Sequence, residues 1–407
     1  MLTALETGVK GGRWYSLMDK VCDPRTLTAA FHTVRSNGGA PGVDHQTIEM
    51  FESHLEEEVH TLATELKAGT YRPKAVKRTW IPKPGTTEKR PLGIPSVRDR
   101  VAQAALRAVI EPIFEKDFAA HSYGFRPKRG CKDALRRVDA LLKQGYVHVV
   151  DADLKGYFDT IPHQPLMERV AEKISDSAVL TLIQKYLEAE VMDGMERWTP
   201  ERGSPQGAII SPLLSNIYLD PLDQQMEREG HEMVRYADDF VVLCRSAEEA
   251  ERALETVRRW TEEVGLMLHP TKTRVVDTSQ PRAGFDFLGY HFSNRKRWPR
   301  EKSLQKLKET VRGKTKRTNG NSLRVIISDL NRTLKGWFEY FKHSHGSFKS
   351  EDGWIRTRLR SILRKRHDRK GKGRGRDHNR WPNDFFRRLG LFSLETAHKS
   401  LRQSRAG

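Results

Sequence analysis

The sequence predicts an α+β fold, an antiparallel sheet carrying helices and followed by a helical, strongly basic C-terminal region. Three observations lead there. Strand pieces interleave with helices without the regular βαβ rhythm of a doubly wound parallel sheet. Two strand pieces run consecutively into hairpins, MVRYADDFVVLC (residues 233–244) and AGFDFLGYHF (residues 283–292). The charge is divided: residues 295–407 hold 33 Lys+Arg against 10 Asp+Glu, whereas residues 1–294 hold 39 against 43.

In chain order, residues 1–35 read as helical, and SNGGAPGVD (residues 36–44) is a Gly/Pro turn into a helix over 47–67. Residues 71–100 are rich in Pro and basic side chains, with a hairpin signal at Pro84-Gly85-Thr86. A helix over 99–114 follows, and the basic loop SYGFRPKRG (residues 122–130) opens another over 131–143. YVHVVDADLKGYFDTIPH (residues 146–163) is a strand ending in acids and then a turn, with helices over 164–188 beyond it. A Gly/Pro loop feeds an apolar helix within 203–226, the Asp-Asp hairpin comes next, and a helix covers 247–264. LMLHPTKTRVV (residues 266–276) and residues 283–292 are strand pieces, and from Ser303 the chain turns helical and basic.

Composition excludes several classes. Cys22, Cys131 and Cys244 form no CxxC, so neither a disulfide framework nor a cysteine-based zinc site is expected, and the thiols suit a reducing compartment. No run approaches the roughly 18–20 apolar residues of a membrane span, and the first residues lack a signal-peptide core. The chain is expected in the cytoplasm, acting at the nucleoid, with no membrane partner. The net charge of +19 comes from the last quarter of the chain, and a polyanion partner, nucleic acid above all, explains it. A disordered basic tail accounts for residues 364–380 but not for the aromatic segments on either side.

Three groups of carboxylates stand at strand ends: Asp151 with Asp153, then Asp159, then Asp238 with Asp239. Like charges on a hairpin tip repel each other. If the two acidic strands are neighbours, Asp153 meets the Asp238/Asp239 pair, and a divalent cation with a preference for hard oxygen ligands, Mg²⁺, resolves the repulsion. Two such ions about 3.5–4 Å apart would clamp the attacking and leaving oxygens of a phosphoryl transfer. A pair of solvated turn acids is the local alternative, and the second acidic strand end weighs against it.

RYADDFVVL resembles the Tyr-x-Asp-Asp box of reverse transcriptases, and VVDADLKGYFDTIPH resembles the strand that supplies their other metal-binding aspartate. GSPQGAIISPLLSNIYLDPLD is similar to their nucleotide-pocket loop and helix, and KRPLGIPSVRDRVAQ, SYGFRP, LHPTKT and FLGYHF also match in the family's order. The matches span residues 36–292. SNGGAPGVD and LNRTLKGWFEYFKHSH resemble group II intron-encoded reverse transcriptases, or maturases. The resemblance implies a right-hand polymerase. Fingers would occupy 1–145 with elements of 163–200, a palm 146–293, and a helical, basic thumb/maturase region 294–407.

It also implies roles. Asp153, Asp238 and Asp239 would be the catalytic carboxylates, with Asp153 and Asp238 holding both Mg²⁺ ions and the Leu154 carbonyl completing a metal shell. Phe158, five residues after Asp153, would lie beneath the sugar and exclude a 2′-hydroxyl, selecting dNTPs; a core aromatic reads the same way. Gln206 would hydrogen-bond the nucleotide, and Gly203 and Gly207 would let backbone approach it. Lys83 and Arg90 would grip the triphosphate. Lys272 would protonate the pyrophosphate leaving group, although a plain surface lysine fits equally. Residues 283–292 would hold the primer end or form an ordinary core hairpin. Many relatives carry a C-terminal endonuclease with metal-binding cysteines and histidines. No cysteine follows Cys244 here, so the resemblance is to the endonuclease-free class, with a primer made elsewhere.

In the C-terminal region, Ile326, Leu330, Leu334, Trp337 and Phe341 recur at helical spacing as a thumb core. WIRTRLRSILRKRHDRK sets apolar residues on one side and arginines on the other, giving a basic face on a helical bundle. Candidate nucleic-acid contacts are Arg126, Lys128, Arg129, Lys335, Trp337, Arg356, Arg358, Arg360, Arg364, Lys365 and Arg366. Expected partners are intron RNA, an RNA template with a DNA primer, and target DNA. The expected activity is RNA-directed DNA synthesis with splicing assistance and retrohoming. The alternatives are a splicing-only maturase and a domesticated or defence-type reverse transcriptase of retron, CRISPR-associated or diversity-generating kind.

Overall fold

The computed structural model describes residues 8–9, 12–82 and 88–404. They form two compact units divided between Asp277 and Thr278, upstream of the expected 293/294 boundary. The hairpin signal at Pro84-Gly85-Thr86 lies outside the described residues.

In the first unit, short α1 (Met18–Val21) precedes α2 (Pro24–Asn37), which opens on an Asp23 cap and Pro24. The helix expected over 47–67 is broken at His54 into α3 (Ile48–Ser53) and α4 (Leu55–Ala68). Strands β1 (Val76–Pro82) and β2 (Lys89–Ile94) pair antiparallel. Helix α5 (Val97–Glu115), capped by Ser96, is buried along most of its length and runs through the core. Helix α6 (Cys131–Lys143) then leads to β3 (His148–Asp153), as read from the sequence. After one turn of helix, α7 (Tyr157–Thr160), come α8 (His163–Ala171) and α9 (Ser177–Leu187). Asp176 separates these two by capping α9 through the amides of Ala178 and Val179. Short β4 (Val191–Asp193) and β5 (Glu196–Trp198) join β1 and β2 in the order β2-β1-β4-β5.

Helix α10 (Ser211–Arg228) lies against the central sheet and leads into β6 (Glu232–Tyr236) and β7 (Asp239–Cys244). Helix α11 (Ala247–Glu263) and β8 (Arg274–Asp277) close the unit. The central sheet runs β6-β7-β3-β8, antiparallel at every pairing. Val149, Val150, Phe240, Val241, Val242 and Leu243 are buried on both faces of it. Of residues 266–276 only the last part is strand; Leu268 makes a single bridge to Leu154.

The second unit opens with a meander of β9 (Phe285–Phe287), β10 (Tyr290–Ser293) and β11 (Lys296–Pro299). The 283–292 hairpin therefore belongs with this unit and gains a third strand. Helices α12 (Glu301–Lys314), α13 (Leu323–Phe341) and α14 (Lys349–Arg366) follow, then short α15 (Asp377–Arg380), α16 (Asn383–Arg388) and α17 (Leu394–Gln403). Their core holds Ile326, Leu330, Leu334, Phe338, Ile355, Leu359, Trp381 and Phe386. Among the described residues, no helix is long and apolar enough to cross a membrane.

Candidate active site on the antiparallel sheet

Register places the acids. Asp153, the last residue of β3, lies opposite Asp239, the first of β7, and Tyr236 pairs with the same Asp239 across β6–β7. The loop between is only Ala237 and Asp238. A two-residue hairpin loop needs positive φ at one or both positions, and Ala237 supplies it at +59°. Asp151 lies two pairs back, opposite Val241, and is bridged to Arg274 at 3.3 Å. The strand end therefore presents Asp153, with Asp238 and Asp239 beside it.

Burial holds the Asp238 carboxyl above its ordinary pKa; a backbone hydrogen bond opposes this, the charge of Asp153 adds to it, and Arg90 and Arg235 favour ionisation. Lys272 Nζ lies 2.8 Å from Asp153 Oδ2, an ammonium where a cation-binding oxygen stands. Three clustered hard-oxygen donors and a cation already drawn to one of them fit a divalent ion in kind. Among the described residues, no three His, Cys, Asp or Glu groups form a ready ion shell.

Around the acids, Leu154 is buried, and half-buried Phe158 sets its ring against Tyr157 (5.4 Å) and Phe125 (6.3 Å). A cavity of about 260 Å³ lies beside it, lined by Arg78, Gly93, Phe158, Asp159, Trp198 and Gln206. The Gln206 carbonyl accepts from the Gly93 amide at 2.6 Å, and its side-chain amide reaches Asp159 at 3.4 Å. The two loop glycines permit a close approach within the chain itself. A Cβ on Gly203 would lie 2.8 Å from the Phe158 carbonyl and one on Gly207 2.3 Å from the Gly93 carbonyl, so both let the loop pack on its own chain. Arg90 is exposed on β2. Lys83 lies outside the described residues.

Sequence reasoning missed the support beneath the turn. Arg235 is fully buried, its guanidinium forked onto Asp223 of α10 (Nε to Oδ1, 2.8 Å) and donating through Nη1 to Asn216 Oδ1 and the Ala237 carbonyl, 2.9 Å each. Burial opposes its charge, and Asp223 more than offsets this. Asn216 donates to the Gly124 carbonyl at 2.9 Å. The available signal was an arginine inside an apolar strand, with Asn216 and Asp223 seven residues apart and so on one helix face.

Two expected nucleic-acid contacts need correction. Arg126 is buried and gives its donors to Glu115 and to the carbonyls of Glu115, Ala119 and Ser122. Arg360 is buried against Phe386 and donates to the Trp381 carbonyl and Asn383. Both arginines stabilise the fold, because a desolvated guanidinium has no face left for a phosphate. Trp337 is half-buried at the edge of the helical core, against Phe341 (4.6 Å) and Phe348 (5.4 Å). Half-buried Arg358 and Arg364 donate to Thr315 and Asp377, and Arg356 and Arg129 are also half-buried. Lys128, Lys335, Lys365 and Arg366 are exposed.

Residues 81–292 match the family model for reverse transcriptase (RNA-dependent DNA polymerase), and residues 304–381 match that for the group II intron maturase-specific domain. The chain thus belongs to the reverse transcriptases, RNA-directed DNA polymerases, and to those that carry a group II intron maturase domain. Protein YkfC of Escherichia coli (strain K12) is 35% identical over 316 residues, 67% of this chain and 82% of that one. Group II intron-encoded protein LtrA of Lactococcus lactis subsp. cremoris is 29% identical over 357 residues, 71% of this chain and 58% of LtrA. A solved partial Cas6-RT-Cas1–Cas2 complex is 24% identical, covering 61% of this chain and 42% of that chain with a TM-score of 0.39.

Proposed function

We propose that Asp153, Asp238 and Asp239 are the catalytic carboxylates with which this chain extends a DNA primer on an RNA template from dNTPs, and that its second unit binds the intron RNA whose splicing and retrohoming it serves. The observation that carries this reading is the register of Asp153 opposite Asp239, with Asp238 in the two-residue turn between them.

Two Mg²⁺ ions held by Asp153 and Asp238, with the Leu154 carbonyl, would activate the primer hydroxyl and stabilise charge on the leaving pyrophosphate. Arg90, exposed on β2, binds the triphosphate as a charge-assisted donor. Phe158, held edge-on by Tyr157 and Phe125, bounds the sugar and disfavours a 2′-hydroxyl. Gln206, whose backbone is fixed by Gly93, orients the nucleotide. Lys272 leaves Asp153 as the site fills and becomes available to protonate the pyrophosphate. Exposed Lys335, Lys365 and Arg366 contact RNA phosphates, and target DNA is the final acceptor of the copied intron.

Single-nucleotide addition on an RNA template with dATP, dCTP, dGTP or dTTP and Mg²⁺, repeated with the matching rNTPs, tests the reading. Templated addition of dNTPs, lost with EDTA, is expected; no addition by the folded chain would sink it.

A further inference from the structure

We propose that the buried Arg235–Asp223 pair is a positioning device for the catalytic turn, holding the Ala237 carbonyl so that Asp238 projects toward Asp153. The proposal rests on the polymerase reading of those acids.

Stability alone does not explain the pair. A fully buried ion pair is often no better than apolar side chains of similar volume, because both ions give up their hydration. What the pair does add is direction. Arg235 Nη1 lies 2.9 Å from both the Ala237 carbonyl and Asn216 Oδ1, while Nε is forked onto Asp223 at 2.8 and 2.9 Å. Asn216 passes the constraint on, donating at 2.9 Å to the Gly124 carbonyl. Gly124 in turn covers the other side of the turn: a Cβ there would lie 2.1 Å from the Ala237 amide nitrogen. The turn is thus held at its carbonyl by Arg235 and closely packed at its amide side by Gly124, and both residues are hydrogen-bonded to Asn216. Between them Ala237 keeps a φ of +59°, which a side-chain-bearing residue holds only where its surroundings over-determine it. Further along the backbone, the Tyr123 amide donates to the Arg235 carbonyl and the Arg235 amide to the His121 carbonyl, 2.9 and 3.1 Å. Loop 121–124, β6 and α10 therefore converge on the peptide before Asp238.

Removing Arg235 alone would leave Asp223 buried and uncompensated, so the deciding variant is Arg235→Met with Asp223→Leu. It is expected to melt at or above the wild-type temperature. Its kcat for single-nucleotide addition is expected to fall on the order of 10²-fold, as for about 1 Å of misplacement. Mn²⁺ affinity, read by electron paramagnetic resonance without substrate, is expected to fall about 10-fold or more, as when the groups that orient metal ligands are removed. The primer–template Kd should not change. A folded double variant with wild-type kcat and Mn²⁺ affinity would overturn the proposal. If the double variant does not fold, Asn216→Ala decides: it keeps the ion pair and cuts the link to Gly124. A drop in kcat and Mn²⁺ affinity in the folded variant, with unchanged primer–template Kd, is expected, and wild-type values for both would overturn the proposal. A wild-type chain that adds no nucleotide would instead defeat the polymerase reading itself.

Discussion

Asp238 occupies a place in its hairpin that an uncharged residue would fill at less cost. Burial, and after it the Asp153 charge, raise its pKa, so the fold favours its protonated form. That contribution is fully present below the unfolded carboxyl pKa and is lost as pH rises through the higher folded one. Asp238→Asn, neutral at every pH, is therefore expected to melt higher than wild type at pH 7 in EDTA, by about 2–4 °C per kcal/mol gained. The gap should close as pH falls below the carboxyl range. A lower melting temperature at pH 7 would show that the charge is not a burden. Phe158→Ala is expected to weaken rejection of rNTPs by about 10- to 200-fold in kcat/KM, the scale of one steric contact; unchanged discrimination would return the ring to the core. Burial also pushes the Cys244 thiol up to about 12 and raises Cys22, whereas Cys131 is only half-buried. Brief alkylation followed by mass spectrometry should label Cys131 and spare the other two until the chain unfolds. At this scale the acids were legible, because adjacency and strand alternation are sequence properties. Arg126 and Arg360 were not: composition records a guanidinium, and only packing decides whether it faces solvent.

The Asp238/Asp239 hairpin is the element on which the candidate site depends, and a glycine in another loop packs closely against it. Gly124→Ala would drive a methyl group into the Ala237 backbone, 2.1 Å from its nitrogen, with no flexible side chain to yield. Its expected effect is a large fall in nucleotide addition and about 1–3 kcal/mol of lost stability, measured by chemical denaturation. Ala237→Gly relieves the positive φ and should be neutral or stabilising by up to about 1 kcal/mol. If Gly124→Ala is silent, the turn is not held from that side. Helices with clear apolar periodicity were legible to within a few residues, Cys131–Lys143 fully so. The break at His54 was not, since no Gly or Pro marks it. Nor was the grouping of residues 283–292 with Lys296–Pro299, because strand pairing depends on long-range packing that a local pattern does not encode.

Across the whole molecule the charge is segregated, with the polymerase motifs on a nearly neutral stretch and the excess cations in the last quarter. Substituting the exposed Lys335, Lys365 and Arg366 by Gln should weaken intron-RNA binding. The slope of log K against log salt should shrink by about 0.7–0.9 for each phosphate that is no longer neutralised. An unchanged slope would move the RNA surface elsewhere. This division was legible from counting charges, while the boundary at Asp277/Thr278 emerged only from the packing of each unit around its own core. On the proposed reading, three carboxylates make DNA while a separate surface holds RNA. Extension of a DNA primer on an RNA template by wild type and by Asp238→Ala/Asp239→Ala, with intron-RNA affinity measured on the same preparations, tests it most directly. Synthesis should fall at least about 10³-fold, near 4 kcal/mol at about 1.36 kcal/mol per decade, with RNA affinity retained. Undiminished synthesis by the double variant, or RNA binding abolished together with synthesis in a folded chain, would contradict it.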